Sequence, residues 1–180
     1  MRSVILEGDL FSTDCKVIAH QVNCMGMMNS GVAKIIKEKY PEVFSEYRDS
    51  VYLLNNNCLG GCLLVSTGDK YIANIFGQYL YKGCDEDKFI LSSYESPSPI
   101  LFPSSEYISS LESMRYTNYE AFYRSLTLLR IDMNKKSLKS IAFPYKIGSD
   151  RGGASWNIIR SMIDDIFEDT DIVVKIYKLN

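Results

Sequence analysis

Two glycine-bearing segments hold the residues of this chain best placed to do chemistry: Asn23-Cys-Met-Gly-Met-Met-Asn-Ser-Gly-Val-Ala33 and Ile147-Gly-Ser-Asp-Arg-Gly-Gly-Ala-Ser-Trp156. Each follows a short apolar run and leads into an amphipathic helix pattern. Glycine lets the backbone approach an anion without a Cβ in the way, and unpaired N–H groups at a helix N-terminus attract negative charge. The pair reads as a two-loop phosphate cradle. Asn23, at the end of an apolar strand, suits either ligand contact or the closing of a turn. Asp150 is the discriminating residue of the second loop. A carboxylate 4 Å from a bound phosphate charge costs about 4 kcal/mol at an effective dielectric of about 20, and about 1 in water. It therefore turns outward, is neutralised by Arg151, or activates a water for hydrolysis. Arg151 is either a solvated loop charge or a fork for phosphate.

The elements that must position these loops follow from periodicity. Ser3 to Glu7 and Val17 to Val22 read as strands, both placed centrally in a sheet. Val32, Ile35 and Ile36 recur at helical spacing, and Pro41 opens a second short helix. Cys62 to Ser66 and Tyr71 to Phe76, split by Thr67-Gly-Asp-Lys70, form a hairpin. Thr117 with Glu120 is the signature of a capping box, opening a helix to about Asp132. Ser140 to Pro144 is a strand, Trp156 to about Glu168 a helix, and the β-branched run Ile172 to Tyr177 an interior strand. Strands interleaved with helices predict a three-layer α/β/α sandwich on a mixed sheet, a single domain over 1–180. The proline- and serine-bearing stretch 82–116 has no dominant period and reads as an inserted excursion, a lid or interaction element.

Composition narrows the function classes. A formal net charge of −2, with no basic cluster beyond Lys135-Lys136, disfavours duplex nucleic acid and anionic membranes as partners. No apolar run approaches the roughly 18 residues of a membrane span and no signal segment opens the chain, so a cytoplasmic location is expected. Five cysteines at irregular spacing without C-x-x-C, and a single histidine, predict neither a disulfide framework nor a metal site. His20 is near-neutral in intrinsic pKa and tempting as a base. It lies about 10 Å before Asn23 along its strand, on the opposite face, and reads as a hydrogen-bonded core histidine.

In order along the chain, Gly8-Asp-Leu-Phe11, Ile18 to Asn23, Gly26 to Ala33, Asn74-Ile-Phe-Gly-Gln78 and Phe143 to Trp156 together resemble a macrodomain. Within that superfamily the chain is most similar to the small stand-alone ADP-ribose-1″-phosphate phosphatases and terminal ADP-ribose protein glycohydrolases. The resemblance implies binding of ADP-ribose or a close derivative, with no cofactor, in a cleft at the C-terminal strand ends. It places Asp9 and the backbone of Leu10 beside adenine, with Tyr177 approaching the same end. Asn23 falls next to the distal ribose, Gly31, Val32 and Ala33 along that ribose and the diphosphate, and Gly148, Ser149, Asp150, Arg151, Gly152 and Gly153 on the second phosphate loop. Asp9 read alone suits an ordinary turn as well.

The departures are informative. Ser149, Asp150, Ala154 and Ser155 stand where relatives carry cysteine, glycine, glycine and aspartate, and the glycohydrolases' catalytic lysine has no match before Tyr119. Two functions follow. One is hydrolysis of ADP-ribose-1″-phosphate or of an ADP-ribosyl ester, with Asn23 and Asp150 as catalytic residues. The other is capture of ADP-ribose or a related adenine-dinucleotide signal without turnover. A protein partner docking through 82–116 and a monomeric state complete the expectations.

Overall fold

The computed structural model describes residues 3–81 and 115–179. Its scaffold is a mixed six-stranded sheet in the order β1-β6-β5-β2-β4-β3. The strands are β1 (Val4–Glu7), β2 (Val17–Gln21), β3 (Cys62–Ser66), β4 (Tyr71–Ile75), β5 (Ser140–Pro144) and β6 (Val173–Lys178). All neighbouring pairs run parallel except the β3–β4 hairpin.

Alternation along the strands divides the core between two faces. Val17 and Ala19 of β2, Ala73 and Ile75 of β4, and Ile141 and Phe143 of β5 pack under α3 (Tyr119–Lys135) and α4 (Trp156–Phe167). The residues between them, Ile18, Ile72 and Ala142, join Ile36 and Val43 of α1 (Gly31–Lys39) and α2 (Pro41–Leu53). Helices on both sheet faces give the expected three-layer sandwich. Helices α3 and α4 each bury one apolar stripe: Phe122, Leu126 and Leu129 of α3, and Ile159, Ile163, Ile166 and Phe167 of α4. Pro41 stands in the first turn of α2.

Two expectations need correction. β1 lies at the sheet edge, with Val4 53% and Ile5 38% exposed, because β6 inserts between it and β5. That insertion makes the closing strand interior, as its β-branched run requires. The capping box is also displaced. Asn118 caps α3, its Oδ1 accepting from Ala121 N at 2.9 Å, while the Thr117 hydroxyl is used elsewhere, and the helix continues to Lys135. The excursion lies outside the described residues apart from its last two positions, 115 and 116. Among the described residues no helix is long and apolar enough to cross a membrane.

Candidate functional site

The connections leaving β2, β4 and β5 emerge at one edge of the sheet, the C-terminal ends of these parallel strands, where open α/β sheets hold ligands. Between them, among the described residues, lies a cavity of about 290 Å³. The β2 connection contributes Gln21, Asn23, Asn29, Ser30 and the first turn of α1 (Gly31, Val32, Ala33). Gln78 follows β4, and Tyr145, Lys146, Gly148, Asp150, Arg151 and Gly152 follow β5. The glycine segments thus share one hollow. Lys146 and Arg151 outnumber Asp150, the one carboxylate on the described walls, so the wall charge favours an anion.

The first loop is closed by its own asparagine. Asn23 Oδ1 accepts from Met25 N at 2.9 Å and Met27 N at 3.3 Å, and its amide nitrogen donates to Met27 O at 2.8 Å. The buried Tyr47 hydroxyl shares its proton between Asn23 O and Oδ1, at 2.8 and 2.9 Å. Burial pushes the Tyr47 phenol pKa up, so this group stays a donor. The loop delivers the chain to Ser30, whose side chain makes no capping bond to α1. Among the described residues no acceptor meets the first-turn N–H groups of α1, which are the groups a helix N-terminus offers to a ligand.

The second loop is shaped by contacts from far along the chain. Gly148 has φ +73°, and a Cβ there would lie 2.6 Å from Gln21 Oε1. At Gly152 a Cβ would collide with Thr117 Oγ1 and Gly148 O, so neither position accepts a side chain. Thr117 Oγ1 donates to Gly148 O and Thr117 N to Gly152 O, each at 2.9 Å. The amide nitrogen of Gln21 donates to Gln78 Oε1 at 2.5 Å and Thr117 Oγ1 at 2.9 Å. Among the described residues, no acceptor meets the consecutive backbone N–H groups of Asp150, Arg151 and Gly152. All three residues line the cavity, and successive free N–H groups in a turn form an anion-binding concavity.

The expected adenine-end residues stand apart from these walls. Asp9 caps a short 3-10 turn (Leu10–Ser12), its carboxylate accepting from Phe11 N at 3.0 Å. Leu10, Phe11 and Tyr177 pack together beside Val32, which also lines the cavity. Asp9, Leu10 and Tyr177 thus adjoin the hollow rather than enclose it. Ser149 and Gly153 likewise lie off its walls; the Ser149 hydroxyl is buried without a partner among the described residues, and Gly153 N bonds to Asp150 O at 3.2 Å. Gln78 is 8% exposed and lines the cavity.

His20 is 1% exposed, and its Nε2 lies 2.8 Å from Oδ1 of Asn74, its β4 register partner. The Asn74 amide nitrogen donates to Leu63 O at 3.2 Å, which directs its oxygen to His20 and assigns the proton to Nε2. Burial lowers the imidazole pKa to about 4, so it is neutral at pH 7. It braces strands, as a core histidine should, but it also lies on the cavity lining with Asn23, which the expected opposite-face placement did not provide for.

Sequence reading missed Gln21, Thr117, Tyr145 and Lys146. A polar residue ending the otherwise apolar β2, just before a glycine loop, was an available signal for Gln21. Thr117 gave none, because its partners are 31 and 96 residues away.

No protein-family model matches the chain. A DNA ADP-ribosyl glycohydrolase of Mycobacterium tuberculosis is 24% identical over 170 residues, covering 93% of this chain and 40% of its own length. The chain thus spans about 40% of the length of the first such relatives. An ADP-ribose 1″-phosphate phosphatase of Aspergillus fumigatus is 46% identical over 44 residues, covering 24% of this chain and 22% of its own. Among solved structures, the macrodomain of M. tuberculosis DarG superposes with a TM-score of 0.67 at 23% identity, over 97% of both chains. Thermosipho africanus DarTG in complex with ADP-ribose superposes at 0.70 with 18% identity, over 98% of this chain and 41% of its own. The six-stranded mixed sheet, the paired helices on each face and these superpositions together establish that the chain has the macrodomain fold.

Proposed function

We propose that this chain binds ADP-ribose or a close derivative between its two glycine loops and hydrolyses it. The observation that carries this reading is the hollow shared by the N-terminus of α1 and the N–H groups of Asp150, Arg151 and Gly152, which have no acceptor among the described residues. Such an array suits a pyrophosphate. The cavity falls at the low end of the ~300–1,000 Å³ usual for small-molecule sites. It therefore takes the pyrophosphate and distal ribose, while adenine lies outside it against Asp9, Leu10 and Tyr177. Relatives named as a DNA ADP-ribosyl glycohydrolase and an ADP-ribose 1″-phosphate phosphatase, and a fold neighbour solved with ADP-ribose, support the ligand class.

For turnover, Asp150 takes a proton from a water whose oxygen bonds to the reacting centre as the bond to the leaving group breaks; the leaving group draws a proton from solvent. Asn23 keeps the first loop in register with the distal ribose. No covalent intermediate on the protein is required, and the expected compartment is the cytoplasm. A binding-only reading has one observation in its favour: the Asn23 side chain is committed to its own loop through both its oxygen and its nitrogen.

Calorimetry with ADP-ribose, followed by product release from ADP-ribose-1″-phosphate and from an ADP-ribosyl ester, tests both readings. One-to-one binding with turnover, and Asp150→Asn lowering kcat at least tenfold with affinity retained, is the expected result. Binding without turnover would replace hydrolysis with capture, and absence of binding would overturn both.

A further inference from the structure

We propose that Thr117 is a positioning residue for anion binding: it turns the carbonyls of the second glycine loop away from the cavity so that the loop's N–H groups face the ligand. The inference rests on the ligand reading above and names how that site is held in its binding form.

A loop that receives pyrophosphate must present N–H groups inward, because a carbonyl dipole aimed the same way would repel the anion. Here two glycine carbonyls of the loop are tied back by one residue, with Ala154 N also donating to Gly148 O at 3.0 Å from within the loop. Thr117 Oγ1 donates to Gly148 O at 2.9 Å, and Thr117 N donates to Gly152 O at the same distance. Its own hydroxyl is oriented in turn by the amide nitrogen of Gln21, 2.9 Å away. With that donor in place, the hydroxyl has one proton to give, and it goes to the Gly148 carbonyl.

The surrounding packing shows that this arrangement is built rather than incidental. Thr117 is 1% exposed, and the missing Cβ of Gly152 leaves the space its Oγ1 fills. Gln21 keeps Oε1 buried without a partner among the described residues, a cost retained while its nitrogen holds Thr117 and Gln78. Neighbouring residues add support. Arg115 Nε donates to Thr117 O at 2.8 Å, its guanidinium lies 3.9 Å from the centre of the Tyr119 ring, and Tyr119 OH accepts from Ser155 N at 2.8 Å. Thr117 does not itself line the cavity, so its effect on binding passes through the wall residues it bonds to, Gly148 and Gly152.

The test titrates inorganic pyrophosphate and ADP-ribose into the full chain while following backbone amide resonances. In the wild type, pyrophosphate should shift Asp150, Arg151 and Gly152 together with Val32 and Ala33. Thr117→Val keeps the shape and the backbone N–H but loses the hydroxyl. It should weaken both probes about tenfold, the size of one ordinary hydrogen bond, and abolish the shifts at 150–152 while those at 32–33 persist. Thr117→Ser, which restores the hydroxyl, should recover them. Wild-type affinity and shifts in Thr117→Val, or equal losses at both loops, overturn the inference. Should Thr117→Val fail to fold, Gln21→Met poses the same question by removing the donor that orients the hydroxyl: selective loss at 150–152 supports it and unchanged binding overturns it. A wild-type protein that binds pyrophosphate this way but not ADP-ribose overturns the functional reading and leaves the role of Thr117 standing.

Discussion

The two glycine loops face each other across one cavity but are held by different means. The first closes mainly on itself: Asn23 bonds to Met25 and Met27, two and four residues ahead, and outside contacts come from Tyr47, from the Tyr79 carbonyl, which accepts from Cys24 N at 3.0 Å, and from the Asn56 amide nitrogen, which donates to Met25 Sδ at 3.7 Å. The second adds to its own backbone turn bonds, Ser149 N to Lys146 O, Gly153 N to Asp150 O and Ala154 N to Gly148 O, a brace from outside: Thr117 and the Gln21 amide behind it. A self-closing loop depends on one side chain and fails locally with it. An externally braced loop can be perturbed from elements that never meet the ligand, which makes it the natural place to alter affinity without altering the surface a ligand touches.

The largest expected effect removes the self-closing device. Asn23→Ala deletes three accepted hydrogen bonds and one donated bond in a residue 6% exposed. At about 1 kcal/mol each it should cost about 4 kcal/mol of folding stability, measured by urea denaturation. A cost below about 1 kcal/mol would show that the first loop does not depend on Asn23 and erase the contrast.

Next comes a term both loops share, the strand pairing beneath them. His20 links β2 to β4, and its pKa is lowered by burial to about 4. The unfolded imidazole, with a pKa of about 6.5, binds its proton first as pH falls, so stability declines from pH 6.5 down to about 4, by about 3 kcal/mol in all. The ion-paired carboxylates Asp14 and Asp171, lowered by their lysine partners, lose their contribution only below that window. His20→Gln should flatten the curve between pH 6.5 and 4. An unaltered slope would assign the acid sensitivity to other groups.

Gly152→Ala attacks the outside brace. Its Cβ meets a backbone carbonyl and the Thr117 hydroxyl, so Thr117 must move. Overpacking of this kind costs about 2 kcal/mol, and it should appear as weaker pyrophosphate binding with the first loop's amide resonances in place. Wild-type binding would show that the second loop tolerates displacement of its brace.

The same contrast explains what the sequence displayed. Asn23, Gly31 and the α1 stripe were legible because their partners lie within a few residues or on the same helix face. Thr117 was read as a cap because Thr-x-x-Glu is a genuine local signal, yet the adjacent Asn118 caps equally well and the threonine was free for a long-range task. No local pattern encodes a bond to Gly148, 31 residues away. β1 was misplaced for a related reason: four apolar-leaning residues show that a strand forms but not which strand will insert beside it. His20 was legible as a hydrogen-bonded core residue through its strand period, and it is buried against Asn74.

The smallest effect separates two jobs that coincide at Asp9. Its carboxylate caps the turn at Leu10–Ser12 by accepting from Phe11 N at 3.0 Å, and it stands beside the Leu10, Tyr177 and Val32 cluster that adjoins the cavity. Asp9→Ala removes both the cap and the charge; Asp9→Asn keeps an oxygen for the cap and removes only the charge. If Asp9 also accepts from the adenine amino group, both variants weaken ADP-ribose by about 1 kcal/mol or more, but only Asp9→Ala lowers the melting temperature. If capping is its whole role, Asp9→Asn binds like the wild type. The adenine end would then be held by the apolar cluster alone, and the contrast between a self-closed and a braced loop would account for the polar recognition at this site.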